Sequence, residues 1–431
     1  MKNLIQIKKL SLFTLVLIFI FNSGFAGTLI SGLTQLKSDS FIKIEGKVID
    51  KKTKKPIVFV TVSAVGTNIG TVTNTDGEFS INIEKSLNVK QLSFKYIGYK
   101  NKTVKVESLI GKDVIISLQA HLVPIEEVIV RPKNSKELIE EILRKIPSNY
   151  SNSPNKMVAF YRETIKKKKK YVSISEAVVE VYKAEYNKTT TNDLVKLYKG
   201  RKSAHVKAQD TIVMKLRGGP KTALLLDIAK NPEMLFYKDN LNNYKFEIDE
   251  ITNINDKQNY VINFTQIKDF DYPLFNGKLY VEINTLAITA AEFELNLENE
   301  EAASRLFVRK KPLFMSIVPT ATKYFVKYTE NNGKYYLSHA RGEVSFKCNW
   351  KSRVFNSKYT VMTEIAITDR TDKNVVKFPR SEQLKSGIVF EEKVVPFGDE
   401  DFWGQYNTIK PEESIENTIK KYGVRLKIQD K

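Results

Sequence analysis

The sequence predicts a mainly β protein: an N-terminal β-sandwich followed by a larger antiparallel β-sheet domain with a few short helices. Three observations carry that expectation. Between Phe41 and Leu118, short alternating or β-branched runs recur between turn signals at intervals of about 8–12 residues, the spacing of a sandwich. β texture returns at Met157 and persists to Thr368. Asn-Gly and lysine-rich turns punctuate that second stretch, so that neighbouring runs can pair antiparallel.

The 431 residues carry 69 Lys and Arg against 49 Asp and Glu, a formal charge of +20, and are 42% hydrophobic. That is a globular composition rather than a disordered one. One cysteine excludes a disulfide framework and a cysteine-based zinc or iron–sulfur site. Three scattered histidines leave no His-rich metal centre. The chain is too short for a 22-stranded outer-membrane barrel with its plug, since each strand needs about 9–11 residues.

Residues 1–26 read as a signal peptide. Lys2, Lys8 and Lys9 accompany an apolar run from Leu10 to Phe21, and Gly24-Phe25-Ala26 offers small residues for cleavage. The run is too short to span a bilayer as a helix. No cysteine follows it to make a lipoprotein anchor. An uncleaved N-terminal anchor is the alternative. The expected location is the periplasm or the outer membrane. There the basic surplus favours an envelope protein or an anionic lipid or glycan surface over nucleic acid. A merely solvated basic surface is the simpler account.

Residues 41–130 supply the sandwich. Lys43 to Asp50 alternates, Lys51 to Pro56 is a charged turn, and Val58 to Val65 is β-branched and apolar. Thr75-Asp76-Gly77 signals a hairpin, and Glu78 to Ile83 alternates out of it. Leu92 to Tyr99 and Val114 to Leu118 supply later strands. Residues 131–150 form a helical linker. Asn134 caps it with Glu137 reaching back; Leu138, Ile139, Ile142, Leu143 and Ile146 share one face; Pro147 stops it.

Residues 151–400 form the large antiparallel domain. Ala159 to Ile165, then Lys166 to Lys170, then Tyr171 to Val181 read as strand, basic turn, strand. Lys221 to Lys230 reads as a short helix stopped by Pro232. Further strands are expected at Asn259–Gln266, Lys278–Ile283, Ala287–Leu297, Thr322–Thr329, Lys334–Phe346 and Lys358–Thr368, with turns at Asn276-Gly277 and Asn332-Gly333. Residues 401–431 form a helical tail, opened by Pro411, Glu412 and Glu413, with Ile415 and Ile419 on one face and Gly423 past its end.

The order Ile44-x-Gly46-x-Val48, Pro56, Val60-x-Val62, Gly70-Thr71-x-Thr73-x-x-Asp76-Gly77-x-Phe79, then Tyr96-Ile97-Gly98-Tyr99 resembles the carboxypeptidase-like regulatory domain. That resemblance implies a transthyretin-like, seven-stranded sandwich, common in exported Bacteroidota proteins, with no peptidase activity. Val123 to Val130 is similar to the segment that follows this domain in TonB-dependent receptors. Without a plug and barrel behind it, it reads as a closing strand and linker rather than a TonB contact. Gly277-x-Leu279-Tyr280-Val281, with Thr285 and Ile288, is similar to the sheets of LolA/LolB-like lipoprotein carriers. Phe160 to Glu163, Asn332 to Leu337, and Phe402-Trp403-Gly404-x-Tyr406 before Pro411 carry a further resemblance. It is to exported Bacteroidota proteins that join this regulatory domain to a C-terminal β-rich region without assigned activity.

Motifs of chemistry are missing: no HExxH, CxxC, GxSxG, P-loop or GxGxxG occurs. No cofactor and no metal is expected. His121, His205 and His339 read as surface or packed residues, and Asp76-Gly77 as a turn rather than a calcium loop. A hairpin around Lys166–Lys170 brings Arg162, Glu163 and Glu176 close. A glycosidase needs two carboxylates about 5–9 Å apart, and cross-strand salt bridging is the competing account. Two candidate contact sites remain. Lys166, Lys167, Lys168, Lys169 and Lys170 suit an anionic surface. Phe402, Trp403 and Tyr406, beside Asp399, Glu400 and Asp401, suit a sugar face or a partner, or else pin the tail to the sheet. The function expected is non-catalytic envelope binding or scaffolding. The alternatives are a LolA/LolB-like carrier of an apolar ligand and an envelope hydrolase acting on glycan or peptide.

Overall fold

A computed structural model describes residues 40–121, 134–188, 192–203, 216, 218–236, 238–268, 270, 272–307, 315–350, 356–397, 402–413 and 415–417. The predicted signal peptide, the Val123–Val130 segment, His205, Asp399 to Asp401, Ile419 and Gly423 lie outside these residues. Among the described residues, no helix is long and apolar enough to cross a membrane.

Seven strands build the N-terminal unit: β1 (Phe41–Asp50), β2 (Thr61–Ala64), β3 (Gly70–Val72), β4 (Glu78–Glu84), β5 (Gln91–Lys95), β6 (Lys102–Lys105) and β7 (Val114–Leu118). They pair as a three-stranded sheet, β4-β1-β7, and a four-stranded sheet, β3-β2-β5-β6. Alternation sends Ile44, Val48, Phe79, Ile81 and Ile83 inward from one sheet and Val62, Leu92 and Phe94 from the other. The turn at Thr75-Asp76-Gly77 exists, with Gly77 at φ +76°. It is not a hairpin, because β3 and β4 belong to different sheets. Asn74 makes the turn by accepting from the Asp76 and Glu78 amides at 3.0 and 2.8 Å, which satisfies them without a ladder.

Helix α1 (Ser135–Asn149) follows. Asn134 Oδ1 accepts from the Lys136 and Glu137 amides, and the Glu137 carboxylate accepts from the Asn134 side chain. The helix runs two residues past Pro147. A proline this close to the C-terminus removes one hydrogen bond and leaves the last turn to close through the Tyr150 amide on the Ile146 carbonyl. Ile139, Ile142 and Ile146 are buried, as their spacing predicts.

The large sheet has eleven strands: β8 (Asn155–Lys167), β9 (Lys170–Lys183), β10 (Leu194–Lys202), β11 (Tyr244–Ile254), β12 (Lys257–Gln266), β13 (Phe275–Glu282), β14 (Ile288–Leu295), β15 (Met315–Asn331), β16 (Lys334–Trp350), β17 (Ser357–Thr371) and β18 (Val395–Pro396). The order is β11-β12-β13-β14-β15-β16-β17-β8-β9-β10-β18, antiparallel throughout except the last pair. Asn332-Gly333 is the turn between β15 and β16, with φ of +52° and +74°. Asn276-Gly277 is no turn but part of β13. Gly277 is there for closeness: a Cβ would sit 2.2 Å from the Glu292 carbonyl oxygen of β14. The helix expected over Lys221–Lys230 is α2, Pro220–Leu224, and gives way to turns tied to Asp227. Another short helix, α3 (Glu300–Phe307), precedes β15.

Each face of this sheet has its own cover. Met157, Ala159, Tyr161, Val179, Val181, Phe264 and Val326 point to the face covered by α1, α2 and the side chains of Leu226, Ile228, Ala229, Leu235, Phe236 and Leu241, in one continuous apolar core. Alternate residues face the other way, where the sandwich and the C-terminal segment lie: Phe160 and Ala366 pack with Val72, Ile409 and Trp403. From Phe402 to Glu412 the described tail is turn and extended chain rather than helix; helical residues appear at Glu413 and 415–417, just after Pro411, where the sequence places the opening of the helix. The Phe402–Glu412 segment runs as a strap between the two units.

Candidate functional site

Five neighbouring strands place one charged residue each in a single cross-strand row. Register pairs Arg341 with Glu364, Glu364 with Arg162, Arg162 with Glu176, and Glu176 with Arg201. The result is a ladder of alternating sign on the face under the sandwich and strap. Arg162 Nε donates to Glu176 Oε1 at 2.8 Å and Arg201 Nε to Glu176 Oε2 at 3.0 Å. Arg341 Nη1 reaches Glu364 Oε1 at 3.3 Å, and His339 Nε2 lies 3.0 Å from the same oxygen. Arg162, Glu176 and Glu364 are at most 2% exposed. Burial pushes both carboxyls up, but the guanidiniums outweigh it. Glu176 is held below the carboxylate range by Arg162 and Arg201, and Glu364 is brought down to about 2 by Arg341 and His339.

Three separate pieces close over the ladder. Phe59 of the sandwich, at φ +58°, stacks on Phe325, packs tilted against His339 and lies under the Arg341 guanidinium at 5.3 Å. The Ile409 carbonyl of the strap accepts from Arg162 Nη2 at 2.8 Å. Phe397, Phe402 and Trp403 surround the Arg201 guanidinium at 4.8, 5.6 and 4.9 Å. Strap and sandwich are hydrogen-bonded as well. Asn407 pairs with both backbone groups of Asn82, at 2.6 and 3.0 Å, and Thr71 Oγ1 donates to the Thr408 carbonyl. Asp76 accepts from the Glu413 amide, just past the end of the strap. Among the described residues no group of three or more His, Cys, Asp or Glu is placed to hold a metal.

The predicted site residues are not brought into one cluster. Lys168 and Lys169 are the exposed turn between β8 and β9, and Lys166 lies 4.3 Å over the Tyr171 ring. Trp403 packs edge-on against Phe160 at 5.5 Å, Phe402 lies under Lys199 at 4.3 Å, and Tyr406 packs on Tyr198 at 4.8 Å. These aromatics pin the strap to the sheet. Arg162 and Glu176 do meet, as a cross-strand salt bridge. Glu163 points to the opposite face, so the two glutamates cannot flank one substrate. There Glu163 accepts from Tyr161 at 2.7 Å, and burial pushes its carboxyl up to about 8.

A second buried network was not expected. Asp227 accepts from Tyr186 at 2.8 Å and Tyr328 at 2.9 Å and binds Lys183 at 2.7 Å. Lys183 also binds Asp193 at 2.6 Å, and the two carboxylates outweigh burial to raise its amine. This network ties the 218–236 segment to β9 and β15. Cys348 is buried, its thiol pushed up to about 11 by desolvation, and serves as a small apolar residue.

Between the units lies a cleft of about 470 Å³. The outer face of the β3-β2-β5-β6 sheet forms one wall, and the adjoining ends of β15, β16 and β17 form the other. Lys327 sits beside it, 1% exposed, donating to Thr61 Oγ1 at 2.9 Å and to the Lys95 carbonyl at 3.3 Å. Burial, with Lys95 nearby, brings its amine down to about 7.

The solved structures similar to this chain are distant. One is a domain named for outer membrane lipoprotein sorting, from Vibrio parahaemolyticus. It is 11% identical and has a TM-score of 0.23, covering 56% of this chain and 94% of its own. Another is a DUF1329 family protein from Desulfovibrio piger ATCC 29098, 12% identical, with a TM-score of 0.24, 57% of this chain and 98% of its own covered. A third is MucB in complex with MucA(peri), 10% identical, with a TM-score of 0.18, 54% and 93% covered. No curated protein matches the chain. Residues 44–130 match the model of the CarboxypepD_reg-like domain, and with the seven paired strands described above this N-terminal unit is a carboxypeptidase-regulatory-like domain.

Proposed function

We propose that this is a non-catalytic binding protein of the cell envelope. In this reading the regulatory-like sandwich and the large sheet are locked into one body, and the cleft between them is the binding site. The observation that carries the reading is the cleft itself. Its volume lies in the range of about 300–1,000 Å³ typical of small-ligand pockets, and both units contribute walls.

The buried charges support a structural role for the ladder. Glu176 is bonded by two arginines, Glu364 by Arg341 and His339, and Asp227 by Lys183 and two tyrosines. A general base or nucleophile needs a lone pair facing substrate, and these carboxylates spend theirs inside the protein. The carrier reading calls for a lined cavity against one sheet face. The side chains of α1 and of Leu226, Ile228, Leu235, Phe236 and Leu241 fill the apolar face among the described residues, which weighs against it.

The test is native mass spectrometry of the full chain, purified gently from an envelope fraction, beside a Ser63→Trp variant. Ser63 lines the cleft from the middle of β2, so an indole there fills it. A ligand adduct retained by the protein and lost from the variant is expected. The same adducts on both proteins, or turnover of envelope glycan or peptide by the full chain, would overturn the reading.

A further inference from the structure

We propose that the lysine-bearing end of the large sheet docks on an anionic lipid bilayer. The turn between β8 and β9 does not stand alone there. Register sets Lys347 of β16 opposite Lys358 of β17, and the Lys358 carbonyl accepts from the Lys168 amide. Lys167 of β8 is opposite Lys170 of β9. Four adjoining strands thus gather seven lysines at one end, Lys166 to Lys170 with Lys347 and Lys358. No Asp or Glu occurs in the stretches that build this end, residues 164–175, 315–323, 344–350 and 357–363. From the tail, Glu412 comes up to the Tyr171 hydroxyl, where it is 7% exposed. Like charges directly opposite each other weaken a sheet. Here the repulsion is not relieved from within: among the described residues no carboxylate lies within ion-pair distance of Lys168, Lys169, Lys170, Lys347 or Lys358, all of them exposed.

The distribution of the charge selects the partner. Strand residues alternate, so Lys166, Lys347 and Lys358 leave the sheet on the face of the ladder, and Lys167 and Lys170 on the opposite face. The charge wraps around the end of the sheet. A linear acidic glycan or peptide lies along one face, whereas a layer of headgroups meets both at once. All seven residues are lysine and none is arginine. Specific protein interfaces are enriched in Arg and depleted in Lys, because the guanidinium fork fixes geometry. Mobile ammonium groups suit phosphates that diffuse laterally, and clusters of about four to eight basic residues bind anionic bilayers. This surface is separate from the cleft. Lys347 is opposite Val318, and Glu330 of the cleft lies twelve residues further along β15, about 40 Å along the strand at about 3.3 Å per residue. End-on docking holds the cleft away from the bilayer.

The test is co-sedimentation of the protein, purified from an envelope fraction, with vesicles of phosphatidylglycerol and phosphatidylethanolamine or of phosphatidylcholine alone. Binding is expected to the anionic vesicles, not to the neutral ones, and should be lost between about 0.1 and about 0.5 M salt. Each ammonium near an anionic surface is worth about fivefold in affinity, so Lys347→Gln with Lys358→Gln should lower the partition coefficient at least tenfold. The circular dichroism melt of that variant should not fall, because a repulsive pair is removed. Lys169→Gln with Lys170→Gln should lower the partition coefficient as much. Lys51→Gln with Lys52→Gln makes the same change in net charge on an exposed turn of the sandwich, and should change it less than threefold. Absence of binding to the anionic vesicles, equal binding to the neutral ones, or equal losses in the sheet-end and sandwich variants would overturn the proposal. So would polygalacturonate or polyglutamate binding through these lysines while vesicles do not.

Discussion

Lys327 offers a pH-dependent test of how the two units dock. Its ammonium has no carboxylate within ion-pair distance among the described residues; its partners are a hydroxyl and a carbonyl of the sandwich, with the Tyr96 ring 5.8 Å away. Lys95 of the sandwich adds a second positive charge, and His339 is its register partner on β16. Its amine sits at about 7 when folded against an ordinary 10.5. The unfolded chain therefore holds this proton more tightly, and stability rises with pH between those values. At about 1.4 kcal/mol per pH unit, the buried amine costs about 5 kcal/mol at pH 6 and about 1.5 kcal/mol at pH 9.5. Lys327→Met removes that cost and two hydrogen bonds worth about 1 kcal/mol each. The variant should be about 2–3 kcal/mol more stable than the parent at pH 6 and no more stable at pH 9.5. Urea unfolding across this range measures it. Parallel stability-versus-pH curves for the two proteins would refute the argument, because a merely packing effect would not change with proton activity.

Other expectations follow from the same geometry. Arg162→Met leaves Glu176 and Glu364 each short of a cation and the Ile409 carbonyl unpaired, and should cost about 3–5 kcal/mol in denaturant titrations; a loss under about 1 kcal/mol would contradict the ladder's role. Glu163 has a raised folded value, about 8 against 4.5, so its contribution is best below pH 4.5 and is lost as pH rises through 8. Glu163→Gln keeps the Tyr161 hydrogen bond and should stabilise the protein by about 3 kcal/mol at pH 7, with the gain gone by pH 4; a pH-independent gain would be the wrong result. Asn407→Ala removes the paired contact with Asn82 and should cost about 1–3 kcal/mol. Its signature is faster amide exchange at Asn82 and faster proteolysis between Phe402 and Glu412, with exchange in α1 unchanged.

The elements that the sequence announced are those governed by neighbours along the chain. The alternation of β1 and β4, the Asn134 cap, the lysine turn after β8 and the Asn332-Gly333 turn each depend on residues within a few positions. Asn276-Gly277 misled because the dipeptide has two uses. In a turn its glycine supplies positive φ; in β13 the same glycine makes room for the β14 backbone, and local sequence does not distinguish them. Strands β10 and β11 and helix α3 carried no clear period. The ladder was out of reach for another reason. Arg162 and Glu176 could be paired across one hairpin, but Arg341, Glu364 and Arg201 join them only through the register of β16, β17 and β10. The strap shows the same limit. Its aromatics were visible as a cluster, while what they rest on lies about two hundred residues upstream.

The strap also sets an order of events for a chain made from its N-terminus. The sandwich contains all its own strand partners and can fold as soon as it emerges, as domains generally do. Its contacts with Thr408 and Asn407 span more than 320 residues. The sheet strands that carry Arg162 and Glu176 are likewise complete before the strap arrives. Until then the ladder has no lid and the sandwich no final seat, so a segment more than 320 residues downstream of the sandwich is the one that fastens the molecule. Truncation near Phe402 would leave two folded units with an unfastened joint, a defect that abundance or secondary-structure content alone would not reveal.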